Sequence, residues 1–157
     1  MIVGPIRGLA QLSAAITAKQ KKISNAVGKA ITRGALAVQG AARSRILKGP
    51  KNGKTYKYGK GGKRRHVASA PTQAPANWTG NLARSLKVVN ATESGGVWTA
   101  KVTANAPYAA ALEFGTRGAG RTHRVVIEAR PFLTPSVKEL APKIHADIKR
   151  AVAEGMA

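Results

Sequence analysis

The chain has 157 residues, 43% hydrophobic but only 4% aromatic, and sets 27 Lys and Arg against 6 Asp and Glu for a net charge of +21. That length suits one domain, residues 1–157, able to bury roughly 70% of its unfolded surface in a core of Ala, Val, Leu and Ile. Zero cysteine excludes disulfide scaffolds, thiolate zinc sites and cysteine nucleophiles, and no apolar run approaches the ~18–20 residues that span a bilayer.

Residues 6–47 read as one long helix. Leu9, Leu12, Ile16, Ile23, Val27, Ile31, Val38, Ala42 and Ile46 keep one stripe, with Lys19, Lys22, Lys29, Arg33, Arg43 and Arg45 mostly on the other faces. At ~1.5 Å per residue it would be about 60 Å long. That exceeds the diameter of a domain this size, so part of it should project or pack on another subunit. Gly28, Gly34 and Gly40 mark bends or close helix contacts. Two shorter helices broken near Gly34 are the alternative. Pro5 and Arg7 interrupt any secretory apolar region, which also makes the glycosylation patterns at Asn77 and Asn90 chance matches.

Residues 48–77 change character. Gly49-Pro50 stops the helix, Asn52-Gly53 is a hairpin-turn dipeptide, and Lys54 to Tyr58 alternates as a short strand. Gly59, Gly61, Gly62, the Lys63-Arg64-Arg65 cluster and Ala68-Ser69-Ala70-Pro71 then read as a mobile arm or extended loop.

Residues 78–133 carry the compact part. Ser85–Asn90 and Val97–Ala104 read as a hairpin turned at Glu93-Ser94-Gly95-Gly96. Pro107–Phe114 reads as a short helix ended by Gly115, Arg117–Thr122 as a loop, and His123–Ala129 as a third strand. A C-terminal helix follows from Pro135 to Glu154, with Val137, Leu140, Ile144, Ile148 and Val152 as its stripe. Either Thr134 or Ser136 would cap it, the latter with Glu139, and Pro142 is a possible kink. The fold class is α+β: a long N-terminal helix, a basic hairpin arm, a small antiparallel sheet with a short helix, and a C-terminal helix.

Tests for catalytic chemistry fail. Gly53-Lys54-Thr55 lacks the upstream glycine of a phosphate-binding loop, since Lys48 stands there, and it follows a helix where a strand is required. His66, His123 and His145 fit no metal-ligand spacing, so neither metal nor cofactor is expected. No serine elbow is present and no acid precedes Glu93. Glu113 reads as a packing or salt-bridge residue. The expectation is a non-enzymatic protein that is soluble, intracellular and drawn to polyanions.

The charge is uneven. The first 92 residues hold 18 bases and no acid, whereas the remaining 65 hold 9 bases and all 6 acids. Lys48, Lys51, Lys54, Lys57, Lys60 and Lys63 form a series at steps of three, extended by Arg64 and Arg65. On a hairpin that step alternates faces, so the series should surround the arm with charge, with Tyr56 and Tyr58 between lysines. Against a nucleic-acid backbone such an arm binds with strong salt dependence and no base selectivity. Nothing reads as a recognition helix or a base-reading sheet. A solvated, solubilising loop is the bland alternative.

Ala68-Ser69-Ala70-Pro71, Pro75-Ala76 and Thr79-Gly80-Asn81-Leu82-Ala83-Arg84-Ser85 resemble the ASAP and TG-x-L-x-x-S segments of a family of tailed-bacteriophage neck and tail-completion proteins. Tyr108-Ala109 with Leu112-Glu113-Phe114-Gly115-Thr116, and Ala129-Arg130-Pro131-Phe132-Leu133, are similar to its YA, EFGT and ARPFL signatures. Gly49-Pro50 with Gly53-Lys54-Thr55-Tyr56 is similar to its Pro- and Tyr-containing hairpin, so the resemblance spans residues 49–133. The added lysines at 57–65 and the Arg117–Thr122 loop depart from it.

In physical terms Gly80 and Gly115 supply positive φ at element ends, and Pro131 holds Arg130 extended, ending the strand and aiming Phe132 and Leu133 at the core. Tyr108, Leu112 and Phe114 would cover the sheet. The resemblance implies a structural virion protein joining the DNA-filled head to the tail. It would form a homo-oligomeric ring, six-fold favoured, among neighbouring phage head-completion and tail proteins and packaged DNA, after assembly in the bacterial cytoplasm. Charge alone suggests instead a free nonspecific nucleic-acid binder of ribosomal or nucleoid type. The amphipathic residues 6–47 are the sole support for a membrane-active protein.

Overall fold

Helix α1, Leu9–Leu47, runs unbroken for 39 residues, about 58 Å at 1.5 Å per residue. The computed structural model describes residues 8–119, 122 and 124–156; Ile6, Arg7, Gly120, Arg121 and His123 of the expected elements lie outside the described residues. No break occurs at Gly34, which serves contact: a Cβ there would come within 3.1 Å of Ile144. The C-terminal part of α1 buries Gly28, Ala30, Gly34, Val38, Ala42 and Ile46. Residues 9–22 are exposed throughout, with Leu9, Leu12 and Ile16 at 59%, 58% and 50%. The apolar stripe is therefore covered only from about Ile23 onward, and the excess length of the helix projects at its N-terminal end.

Helix α4, Leu133–Met156, packs antiparallel on α1. Glu139 pairs with Arg45, Ile144 meets Gly34, and Ile23 presses on Gly155. Lys19 Nζ donates to the carbonyl of Met156 at 3.0 Å, and α4 ends there. Pro142 lies inside the helix without ending it. Of the expected stripe, Leu140, Ile144, Ile148 and Val152 are half-buried, but Val137 is 46% exposed.

A second layer lies on another side of α1. Strands β3, Leu86–Ser94, and β4, Val97–Ala104, form an antiparallel hairpin. The first strand is longer than expected, taking in Glu93 and Ser94, so the turn is only Gly95-Gly96. Their φ values of 58° and 80° meet the left-handed requirement of a two-residue hairpin turn. One extra residue between Val89 and Thr92 makes a bulge, and the N–H of Ala91 there donates to Thr32 Oγ1 of α1 at 3.0 Å. Gln39 Nε2 donates to the carbonyl of Leu86 at 2.8 Å, and Trp98 Nε1 to Ser24 Oγ at 3.0 Å.

The fold is α+β as expected, but among the described residues the expected single small sheet is three separate two-stranded antiparallel ladders. Strand β5, Thr116–Ala119, takes in the start of the segment Arg117–Thr122 expected to be a loop, and it pairs with β6, Val125–Ile127, not with the β3–β4 hairpin. Gly115, at φ 75°, turns the chain out of helix α3, Ala109–Phe114, so the nearest partner for Thr116 is Ile127. A local pairing of this kind closes a short loop at small entropic cost. Asn81–Ser85 forms a short helix, α2, begun by Gly80 at φ 76°. Among the described residues no helix is long and apolar enough to cross a membrane.

The core sits where the C-terminal end of α1 meets these connections. Ala42, Ile46, Leu82, Ala83, Leu86, Ala109 and Phe132 form one buried cluster, with Ala104, Ala106, Leu112 and Leu133 packed against it. Phe132, 1% exposed, is its largest side chain.

Candidate functional site

The basic arm is a folded hairpin. Strands β1, Thr55–Tyr58, and β2, Arg64–Val67, pair antiparallel around a turn that includes a short 3₁₀ segment, Lys60–Gly62. This corrects two expectations. Asn52-Gly53 is not the turn, and Arg64 to Val67 is a strand, not loop. Gly59, Gly61 and Gly62, with φ of 80°, 69° and 66°, make the reversal. Gly53 lies instead at the base, where its N–H donates to the carbonyl of Ala68 at 2.8 Å. A Cβ on Gly53 would stand 2.4 Å from the carbonyl oxygen of Ser69. The base is fastened further by Ala68 N–H to the carbonyl of Lys54 (3.0 Å) and Ala70 N–H to Asn52 Oδ1 (3.2 Å).

All eight cations of the series are exposed. Three of them lie in strands, and these fall on both faces of the ladder, Arg64 on one and Lys57 with Arg65 on the other. Lys48 caps the end of α1, Lys51 and Lys54 lie before β1, and Lys60 and Lys63 belong to the turn. Within the ladder Lys57 stands directly opposite Arg65, and Arg64 opposite Tyr58. Like charges directly opposite across a ladder are destabilising. Two salt bridges exist among the described residues, Arg45 with Glu139 and Arg150 with Asp147, and neither is on the arm.

The other face of the hairpin is aromatic. His66 stacks on Trp78 at 4.8 Å between ring centres, and Tyr58 meets Trp78 edge-on at 4.9 Å. The indole N–H donates to the Tyr58 hydroxyl at 3.2 Å. Burial, then the positive charge of Lys51, holds His66 below its ordinary pKa. This cluster went unseen in the sequence, where His66 is a lone loop histidine. Twelve positions separate it from Trp78, and no periodicity links them.

The stretches carrying the phage-protein resemblance form a second site. Glu113, at the end of α3, is buried, and its carboxylate accepts the backbone N–H groups of Phe132 (2.9 Å), Leu133 (3.0 Å) and Thr134 (2.7 Å). It thus caps α4 from another element. Neither Thr134 nor Ser136 does so; Ser136 Oγ turns back to the carbonyl of Phe132 at 2.7 Å. Burial alone would raise the pKa of Glu113, but the hydrogen bonds from Phe132, Thr134 and Leu133 outweigh it and hold the carboxyl below the usual value.

Around that cap, Arg130 N–H donates to the carbonyl of Leu112 (2.6 Å) and Arg130 Nε to that of Ser69 (3.2 Å). The Arg84 guanidinium donates to the carbonyl of Thr79 at 2.9 Å, and Ser85 Oγ to that of Leu82 at 2.8 Å. Gly115 approaches Ala129 so closely that a Cβ would lie 3.1 Å from its nitrogen. β6 ends at Ile127, three residues short of Arg130, while half-buried Pro131 leads Phe132 into the core. Tyr108 and Phe114 do not cover a sheet: they are 43% and 77% exposed, and only Leu112 of the three packs on the core.

Among the described residues no three His, Cys, Asp or Glu gather as a metal site. No family model, no curated protein and no solved structure matches the chain.

Proposed function

We propose that this chain is a structural, non-enzymatic virion protein of the phage neck, part of a homo-oligomeric ring that joins the DNA-filled head to the tail. The observation that carries the reading is the meeting of the resembling stretches in one place. Glu113 of the Leu112-to-Thr116 stretch ties down the backbone of Phe132, Leu133 and Thr134, while Leu82, Ala83, Ala109 and Phe132 share one core. A shared structural role for these stretches requires that they meet, and they do.

Two further features suit that setting. The exposed first turns of α1 offer a surface to a neighbouring subunit or to adjoining head-completion and tail proteins. The acid-free arm suits packaged DNA, held by sequence-independent phosphate contacts, or an acidic neighbour. Six copies are favoured on the resemblance alone. Electron microscopy of particles made without this protein tests the reading. It predicts full heads separated from tails, and complete infectious virions would contradict it.

The charge of +21 supports a second reading, a free nucleic-acid binder. It predicts salt-sensitive binding by a monomer or dimer and no ordered ring.

A further inference from the structure

The register of the arm sorts its side chains by chemistry. Tyr56 pairs with His66 and Tyr58 with Arg64, so these four share one face, whereas Lys57 and Arg65 share the other. Trp78 lies on the aromatic face through its contacts with His66 and Tyr58. Trp78 nevertheless keeps 54% of its surface exposed and Tyr56 keeps 47%. The chain has only 2 Trp, 3 Tyr and 2 Phe, and three of these rings, Tyr56, Tyr58 and Trp78, lie outside the buried core, on or beside an arm of eight exposed cations. Lys54 Nζ sits 5.7 Å from the centre of the Tyr56 ring, so charge and ring are already adjacent.

Planar rings left in water beside cations match a polyanion that also carries free π-faces. In a duplex the bases stack on one another and offer only edges and phosphates. In a single strand each base has a face to give, and aromatic side chains accept it without regard to sequence. We propose that the aromatic face of the arm, Tyr56 and Trp78 foremost, is a stacking platform for unpaired bases of single-stranded nucleic acid, with Lys54 and Arg64 meeting the flanking phosphates. This rests on the reading of the arm as a nucleic-acid contact and is independent of where in a particle the protein stands.

The test measures affinity of the full chain at fixed salt for an oligothymidylate, an abasic oligomer of equal length and charge, and a duplex. Stacking predicts the oligothymidylate to bind about tenfold tighter than the abasic oligomer. Tyr56→Ala and Trp78→Ala should each shrink that preference and leave duplex affinity unchanged. Trp78→Ala also removes the His66 contact, so Tyr56→Ala, whose ring is outside that cluster, separates stacking from loss of the arm's shape. Equal affinity for the oligothymidylate and the abasic oligomer overturns stacking while the phosphate contacts survive, as does an undiminished preference in both variants. Absence of binding to all three at low salt overturns the nucleic-acid contact itself.

Discussion

Glu113 does for α4 what a local capping side chain does elsewhere: it meets the orphaned N–H groups of the first turn with an ionised acceptor, where the helix dipole also favours negative charge. Glu113→Gln keeps the shape and removes the charge, and should cost about 1–3 kcal/mol in chemical denaturation at neutral pH. Because the folded pKa lies below the ordinary 4.5, this stability is complete above pH 4.5 and is lost as pH falls through the lowered value. The denaturation midpoints of wild type and Glu113→Gln should therefore converge in acid. Two glycines of α1 should respond with opposite signs. A Cβ on Gly40 meets nothing within 4 Å, so Gly40→Ala should stabilise by roughly 0.5–1 kcal/mol. A Cβ on Gly28 would lie 2.6 Å from the Trp98 ring, which Ser24 holds in place. Gly28→Ala should thus destabilise by about 1–3 kcal/mol despite the better helix propensity. The same denaturation series measures both.

The elements differ in how far the sequence exposes them. The two long helices and the Val97–Ala104 strand follow from local signals: a stripe at helical spacing, alternation, and Gly95-Gly96 beside it. Features made by distant partners do not. The pairing of Thr116 with Ile127, the His66–Trp78 stack and the cap from Glu113 each join residues whose neighbours in sequence give no sign of them. The arm shows both cases, since its charge is plain in the sequence while its two unlike faces depend on a register set by the glycine turn. The opposed Lys57 and Arg65 make a prediction at this scale. Lys57→Glu should stabilise the ladder by roughly 0.2–1 kcal/mol while weakening nucleic-acid binding. Replacing Lys51, Lys54, Lys57, Lys60 and Lys63 by Ser should preserve the circular dichroism spectrum. It should also flatten the logarithmic salt dependence of duplex binding by about 0.9 for each phosphate that the variant no longer neutralises.

At the scale of the molecule, the net charge of +21 has a place. The acid-free stretch, residues 1–92, contains α1 and the arm, and three of the six acids beyond it serve packing: Glu93 accepts from Ser24, Glu113 caps α4, and Glu139 pairs with Arg45. Most of the excess charge thus lies on α1 and the arm, whose exposed outgrowths are a projecting helix end and a basic hairpin. Copies of such a chain side by side repel unless phosphate or an acidic partner lies between them, which a ring around packaged DNA supplies. The measurement that bears most directly on this is electron cryomicroscopy of the assembled particle with the chain tagged at its C-terminus. The tag should appear as a ring at the head–tail junction, with density for the arm toward the channel or an acidic neighbouring ring. A tag missing from purified virions, with the protein found on free nucleic acid in the cell, would contradict the neck reading and favour the nonspecific binder.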